Sequence, residues 1–361
     1  MAKILAIETS CDETAAAVIE NGREILSNII YSQADIHAVF GGVVPEIASR
    51  KHIEVLDKVV DKALLEAKTD FSDIDAVAVT SCPGLIGALL TGVSYAKSLS
   101  YALKKPLIAV HHIKGHIASN YLTDKNFKPP YLCLVVSGGH TQIVYVKDYL
   151  DFEIVAKTRD DAVGEAFDKV ARVFGLTYPG GVKVDKMAPF GDETKITFTK
   201  PKMGDTDDFS FSGIKTAINC YISRIAEKPI TQYKDDEIIT DKSFKGLGLV
   251  VKEGGVTKND IASSFSHTVA GILTDTFFKI AKEKGVERVC MAGGVSANSV
   301  LRKMFFERAQ KENLYAVCPH IELCGDNAAM IGSQAYFKYE KGLFSDYGLN
   351  AKAYMSVEED I

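Results

Sequence analysis

The chain has 361 residues, 47% of them apolar and 25% charged, with no tryptophan and a formal net charge of −5. That is enough apolar material for two domains or two lobes, and it excludes a disordered chain. The negative balance excludes a globally basic nucleic-acid binder, so any RNA contact must rest on a local basic surface or on a partner.

In chain order, KILAIETS, TAAAVIEN and EILSNIIYS read as three strands joined by short polar turns. A helix is predicted from about Val44 to Lys68, then a buried strand, IDAVAVTS, a Pro-Gly turn, an apolar helix from Leu85 to Leu103, and a short strand, LIAV, running directly into HHIKGH. The second part repeats this order. YLCLVVSGGHTQIVYVKDYLDFEIVAK reads as three strands, and RDDAVGEAFDKVARVFG as a helix with a glycine stop at Gly175. VERVCMAGG is a buried strand with a glycine turn, NSVLRKMFFERAQ a helix, and YAVC a strand leading to CGDNAAMIGSQAYFKYEKG. A duplicated element order implies two similar α/β lobes facing one another, with the ligand site in the cleft between them. The first lobe is expected over 1–125, with the helix near the C-terminus free to pack back on it, and the second over 126–345. Residues 229–257 read as an insertion or flap, and 346–361 as a polar tail. No apolar run reaches spanning length and no secretory leader is visible, so a soluble, cytoplasmic protein without a membrane is expected. The seven cysteines form no CxxC pair and read as buried small side chains.

Three of the eight histidines stand in HHIKGH. His112 and His116 are four apart, so on a helix they share a face and can grip one cation; they can equally be buried and bonded to backbone carbonyls. HHIKGH and CGDNAAM occupy equivalent places in the two halves, so Asp326 can meet the two imidazoles across the cleft as a third ligand of an open metal site. VVSGGHTQ sets two glycines after an apolar strand, which lets backbone amides approach an anion, or makes a plain hairpin turn. YPGG and MAGGVSAN are further glycine turns, the second between a strand and a helix, as for a nucleotide held on a helix start; Asn298 there is a ligand donor or an N-cap. Asp12 and Glu13, in the turn after the first strand, are acid/base candidates or a charged hairpin turn. Lys215, in DFSFSGIKTA, can meet a phosphate or stand as a solvated helix lysine. Asp168 and Asp185 are single acids.

Together ETSCDET, GGVVPEIASRKH, CPGLIGALLTG, HHIKGH, VSGGHTQ, YPGG, FSFSGIKTA, AGGVSAN and GDNAAMIG closely resemble the bacterial TsaD (Gcp) family, over roughly residues 1 to 340 and in the right order. The resemblance implies the duplicated fold of actin, sugar kinases and heat-shock ATPases, two lobes around a central cleft. It implies transfer of threonylcarbamoyl from threonylcarbamoyl-AMP to the N6 amine of the adenosine 3′ of the anticodon in tRNAs reading ANN codons, with release of AMP. It implies one divalent metal per subunit, usually iron(II), with zinc or magnesium open, on His112, His116 and Asp326. It implies substrate binding by Val135, Val136, Ser137, Gly138, Gly139, Asp168, Gly181, Asp185 and Asn298. TsaB-like and TsaE-like partner proteins are expected, the former on the helix around residues 47–64. The chain departs from the family at Cys82, Lys114 and Gly325, where glycine, glutamate and threonine are usual.

Three rivals are weighed. A zinc metallopeptidase needs glutamate directly after the first histidine, where this chain has Ile113. A small-molecule kinase of the same fold would bind Mg²⁺ through carboxylates and waters, which the histidine pair does not favour. A silent scaffold would lack the two histidines and Asp326.

Overall fold

The computed structural model describes residues 1–201 and 203–360. In the first lobe, β1 (Lys3–Glu8), β2 (Glu13–Glu20) and β3 (Glu24–Ser32) form an antiparallel meander. The helices α1 (Ala34–Ala38) and α2 (Pro45–Glu66) follow; Pro45 opens α2 where its missing N–H costs no bond. Then β4 (Ala76–Cys82), α3 (Ile86–Leu103) and β5 (Leu107–His111) add two parallel strands on the other side of β1, giving the order β3-β2-β1-β4-β5. α4 (His112–Thr123) starts at the residue after β5.

The second lobe repeats the plan. β6 (Tyr131–Val136), β7 (Thr141–Asp148) and β8 (Asp151–Lys157) are antiparallel. After them come α5 (Val163–Val173), α6 (Gly181–Met187), β9 (Ile196–Phe198), α7 (Ser212–Ile225), β10 (Phe244–Gly246), β11 (Leu249–Val251) and α8 (Lys258–Lys284). β12 (Arg288–Ala292), α9 (Ser299–Lys311), β13 (Tyr315–Val317) and α10 (Ala328–Glu340) complete it. Its sheet order, β13-β12-β6-β7-β8, matches the first strand for strand.

The two halves exchange their last helices. Ile113, Ile117, Ala118 and Tyr121 of α4 pack on Tyr131, Cys133, Val135, Cys290 and Ala292 of the second sheet. Ala328, Met330, Ile331 and Ala335 of α10 pack on Ile4, Ala6, Ala17, Ile19 and Ile108 of the first. So α4 and α10 lie between the sheets, while α2 and α3 cover the outer face of the first sheet and α5, α8 and α9 help cover that of the second. Two glycines permit the close fit. A Cβ on Gly115 would stand 2.7 Å from Ile331 Cδ1, and one on Gly332 would stand 2.6 Å from Ile19 Cγ1.

Two segments are more ordered than their composition suggests. Residues 229–257 supply β10 and β11, which pair with β9 in a three-stranded sheet whose Leu249 and Val251 are buried. Residues 346–361, expected as a tail, are through residue 360 a packed strap. Lys352 N–H donates to Ser81 O, Gly84 N–H to Ala353 O, and Ile154 N–H to the Glu358 carboxylate, while Ala351, Met355 and Val357 are buried. Single apolar residues set between polar ones carry no period, so the sequence hides this packing.

Candidate active site at the lobe crossing

β5 delivers HHIKGH to the cleft as the first turns of α4. His111 is structural: its Nδ1 caps the helix by accepting the Ile113 N–H, and its Nε2 faces Met355 O at 3.2 Å. His112 and His116 share the opposite face, their rings 4.5 Å apart at 79°. From the second lobe comes Asp326, just ahead of α10, whose N-cap Asn327 accepts the Met330 N–H. Asp326 Oδ1 lies 3.5 Å from His112 Nε2 and 3.2 Å from His116 Nε2. One donor atom from each of the three falls within 4.8 Å of the others. Two imidazole nitrogens and one carboxylate oxygen on so small a locus fit a first-row divalent cation with open positions.

Behind His112 stands Glu8, the last residue of β1 and fully buried. Its Oε2 is 3.2 Å from His112 Nδ1, and Ser10 Oγ is 3.1 Å from the same nitrogen. Glu8 also accepts the Ser10 N–H and the Thr80 hydroxyl. A carboxylate facing Nδ1 holds a proton there, and without a cation the second ring proton, on Nε2, faces Asp326; a bound cation would take the place of that Nε2 proton. The charges are interdependent. Burial opposes the His112 charge, but Asp326 and Glu8 push its imidazole up to about 9. Burial also opposes the Asp326 charge, but the two imidazoles hold its carboxyl down to about 2. Burial, then the His112 charge, lowers His116, whose buried Nδ1 has no hydrogen-bond partner among the described residues.

Asp12 ends the loop after β1 and Glu13 opens β2. Burial, then the charges of Asp326 and Asp12, push the Glu13 carboxyl up to about 9. Ser32 Oγ donates to Glu13 at 3.0 Å, and Tyr178, in YPGG, reaches across the cleft to Asp12 Oδ2 at 3.5 Å.

On the second lobe, Val135 and Val136 end β6 in the core, and Ser137, Gly138 and Gly139 form the turn. Gly138 and Gly139 are exposed with open space above them. Gly164 and Gly293 press on this turn: a Cβ would lie 2.6 Å from Ser137 O and 2.5 Å from Val136 O respectively, and Gly293 has φ +90°. Asp168 Oδ1 accepts the N–H groups of Gly180 and Gly181, both at 2.9 Å, and so shapes YPGG. α6, which begins at Gly181, carries Asp185, whose Oδ1 accepts the Ser299 N–H and hydroxyl at the start of α9. Asn298 is the N-cap of α9, accepting the Leu301 N–H at 2.9 Å. Hydrogen bonds thus tie Asp168, YPGG, Asp185 and the start of α9 into one connected surface, from which Tyr178 reaches Asp12.

Lys114 points away from the histidine pair: its Nζ donates to Glu359 O at 3.0 Å and lies 4.8 Å above the Phe152 ring. A Cβ at Gly325 would meet open space, so glycine there does not disturb the neighbouring Asp326. Cys82 is buried against Met355 of the strap. Lys215 pairs with Asp161, Lys200 with Asp275, and Lys183 donates to Thr177; Lys202 lies outside the described residues. The sequence reading passed over Glu8, Ser10 and Tyr178. A glutamate closing an otherwise apolar strand is the one signal that marked Glu8.

A groove of about 490 Å³ runs between α2 and α3, lined by Ile53, Leu56, Leu90 and Tyr95 among others, with Ile53 69% exposed. Among the described residues no helix is long and apolar enough to cross a membrane.

The profile of the family described as TsaD, tRNA N6-adenosine threonylcarbamoyltransferase, matches residues 24–333. Proteins of that name from Clostridium novyi strain NT and Clostridium perfringens strain 13 are 52% and 51% identical to the chain, covering 97% and 99% of it and 96% and 98% of their own length. Among solved structures, HypF from T. kodakarensis superposes with a TM-score of 0.60 at 16% identity, over 96% of this chain and 49% of that one. Component A of the Acidaminococcus fermentans (R)-2-hydroxyglutaryl-CoA dehydratase gives 0.51 at 12%, over 94% and 99%. The latter two likenesses concern the fold alone: the duplicated α/β architecture of actin-like ATPases and sugar kinases.

Proposed function

Because the chain belongs to the TsaD family of tRNA N6-adenosine threonylcarbamoyltransferases, we propose that its inter-lobe cleft moves threonylcarbamoyl from threonylcarbamoyl-AMP to the N6 amine of the adenosine 3′ of the anticodon, with AMP leaving. The chain is a tRNA-modifying transferase, and the kinase alternative has no comparable support. The observation that carries the site reading is the convergence of His112, His116 and Asp326 from opposite lobes.

His112 Nε2, His116 Nε2 and Asp326 Oδ1 would hold one divalent metal, iron(II) by family habit, which would supply Lewis-acid polarisation of an oxygen of the donor. The exposed amides of Gly138 and Gly139, with the wall shaped by Asp168, Gly181, Asp185 and Asn298, hold the AMP part and stabilise its charge on departure. Glu8 keeps the His112 proton on Nδ1. Glu13, raised to about 9, is protonated at neutral pH in the metal-free protein; beside a cation it ionises more readily, and it or Asp12 takes the proton of the attacking amine. The helix around residues 47–64, with its groove against α3, takes a TsaB-like partner, a TsaE-like protein assists, and a reaction on tRNA supports a cytoplasmic location.

The test is transfer of labelled threonine, presented as threonylcarbamoyl-AMP, into acid-precipitable tRNA with the partner proteins present. Wild type labels tRNA and the His112→Ala/His116→Ala double variant does not. Full transfer by that variant, stripped of metal, overturns the metal assignment.

A further inference from the structure

The motif GGVVPEIASRKH ends in His52, a fully buried histidine on α2 that the reaction described so far does not use. Both of its nitrogens are engaged, and both by residues 11–14, the stretch running from the loop after β1 into β2 that carries Asp12 and Glu13. His52 Nε2 is 3.0 Å from Cys11 O, and His52 Nδ1 is 2.7 Å from Thr14 Oγ1. A carbonyl only accepts, so Nε2 carries the proton; Nδ1 then accepts the Thr14 hydroxyl. The ring is neutral and its tautomer fixed. It brackets the two acids, one bond to the residue before them and one to the residue after. A second tie runs alongside: Gln33 N–H donates to Asp12 O, and Gln33 Nε2 reaches Ala48 O on α2 at 3.4 Å. A surface-facing alternative is excluded by burial, and simple packing would not require both ring nitrogens to meet one four-residue stretch.

We infer that His52 is a positioning residue, which sets Asp12 and Glu13 against the histidine–aspartate cluster from the inner face of α2. The inference rests on the reading that these acids serve the transfer. Displacing a reacting group by about 1 Å costs on the order of a hundredfold in rate.

The experiment measures the single-turnover transfer rate and the KM for threonylcarbamoyl-AMP in the partner-containing assay, for wild type, Thr14→Val, His52→Gln and His52→Phe. Co(II) binding to each chain is titrated in parallel. His52→Phe, which keeps bulk and loses both bonds, is expected to slow the rate about a hundredfold. His52→Gln, whose amide can still donate to Cys11 O, recovers most of that loss, and Thr14→Val falls between. KM and Co(II) affinity stay within about twofold throughout, since neither substrate wall nor ligand set is touched. A wild-type rate in His52→Phe overturns the inference. So does equal loss in both His52 variants with Co(II) affinity falling alongside, the mark of a general structural role. A silent wild type beside an active relative overturns the transfer reading and this assignment with it.

Discussion

Glu8 Oε2 and Asp326 approach His112 from opposite edges of its ring, 3.2 Å from Nδ1 and 3.5 Å from Nε2. One carboxylate holds the Nδ1 proton and the other faces Nε2, so the imidazole is oriented before any cation arrives. Partners of this kind alter affinity by about 10–100-fold when removed. Glu8→Gln should therefore weaken Co(II) binding by that factor in a titration of chelator-treated protein. Unchanged affinity would remove Glu8 from the site.

Glu13 makes the metal-free fold sensitive to alkali. Its pKa rises from 4.5 to about 9 on folding, chiefly through burial and then through Asp326 and Asp12. A group whose folded pKa is raised stabilises fully below its unfolded pKa, and that contribution is lost as pH climbs through the folded value. Between about pH 5 and 9, wild type should lose Tm relative to Glu13→Gln, with chelator present throughout. Parallel Tm curves for the two proteins would show that Glu13 ionises normally.

The helix crossing predicts an asymmetry between its two glycines. A Cβ at Gly115 meets the flexible tip of Ile331, whereas at Gly332 it meets Ile19 Cγ1 and Cβ and, at 3.3 Å, Ala6 Cβ on β1. Alanine gains about 1 kcal/mol in helix propensity at either place. Overpacking costs about 1–3 kcal/mol where neighbours cannot give way. Gly115→Ala should be close to neutral in urea unfolding and Gly332→Ala clearly destabilised; the reverse order would contradict the packing described.

The strap is tested through Met355, which is 5% exposed and touches Cys82 while its carbonyl faces His111. Truncating a buried methionine costs about 2–5 kcal/mol. Met355→Ala should lower the urea midpoint accordingly. An unaltered midpoint would mean that the strap is only laid on the surface.

The doubled element order was legible because β1 to β5 and β6 to β13 pair apolar strands with helices of the right period. His112, His116 and Asp326 stood out because imidazoles four apart on a helix, with a carboxylate at the matching place in the other half, form a chemical pattern. What stayed hidden lacks a period or depends on distant contacts. Glu8 looks like any strand-ending acid until Thr80, Ser10 and His112 surround it. Asp168 and Asp185 came from the family resemblance; their side chains accept from the Gly180, Gly181 and Ser299 N–H groups, which no local pattern encodes, whereas the Asn298 N-cap, three residues before Leu301, was legible as such. His52 follows a lysine in a charged run and reads as surface, yet it is the inner face of α2 that it occupies.

The exchange of α4 and α10 also has a mechanical meaning. Each helix is rooted in one half and bedded on the other, so any swing of one sheet against the other must turn about the place where they cross. Displacement in such a movement grows with distance from the fulcrum. His112, His116 and Asp326 sit beside that crossing, where Gly115 of α4 faces Ile331 of α10. A movement about that crossing would therefore part the three donor atoms least.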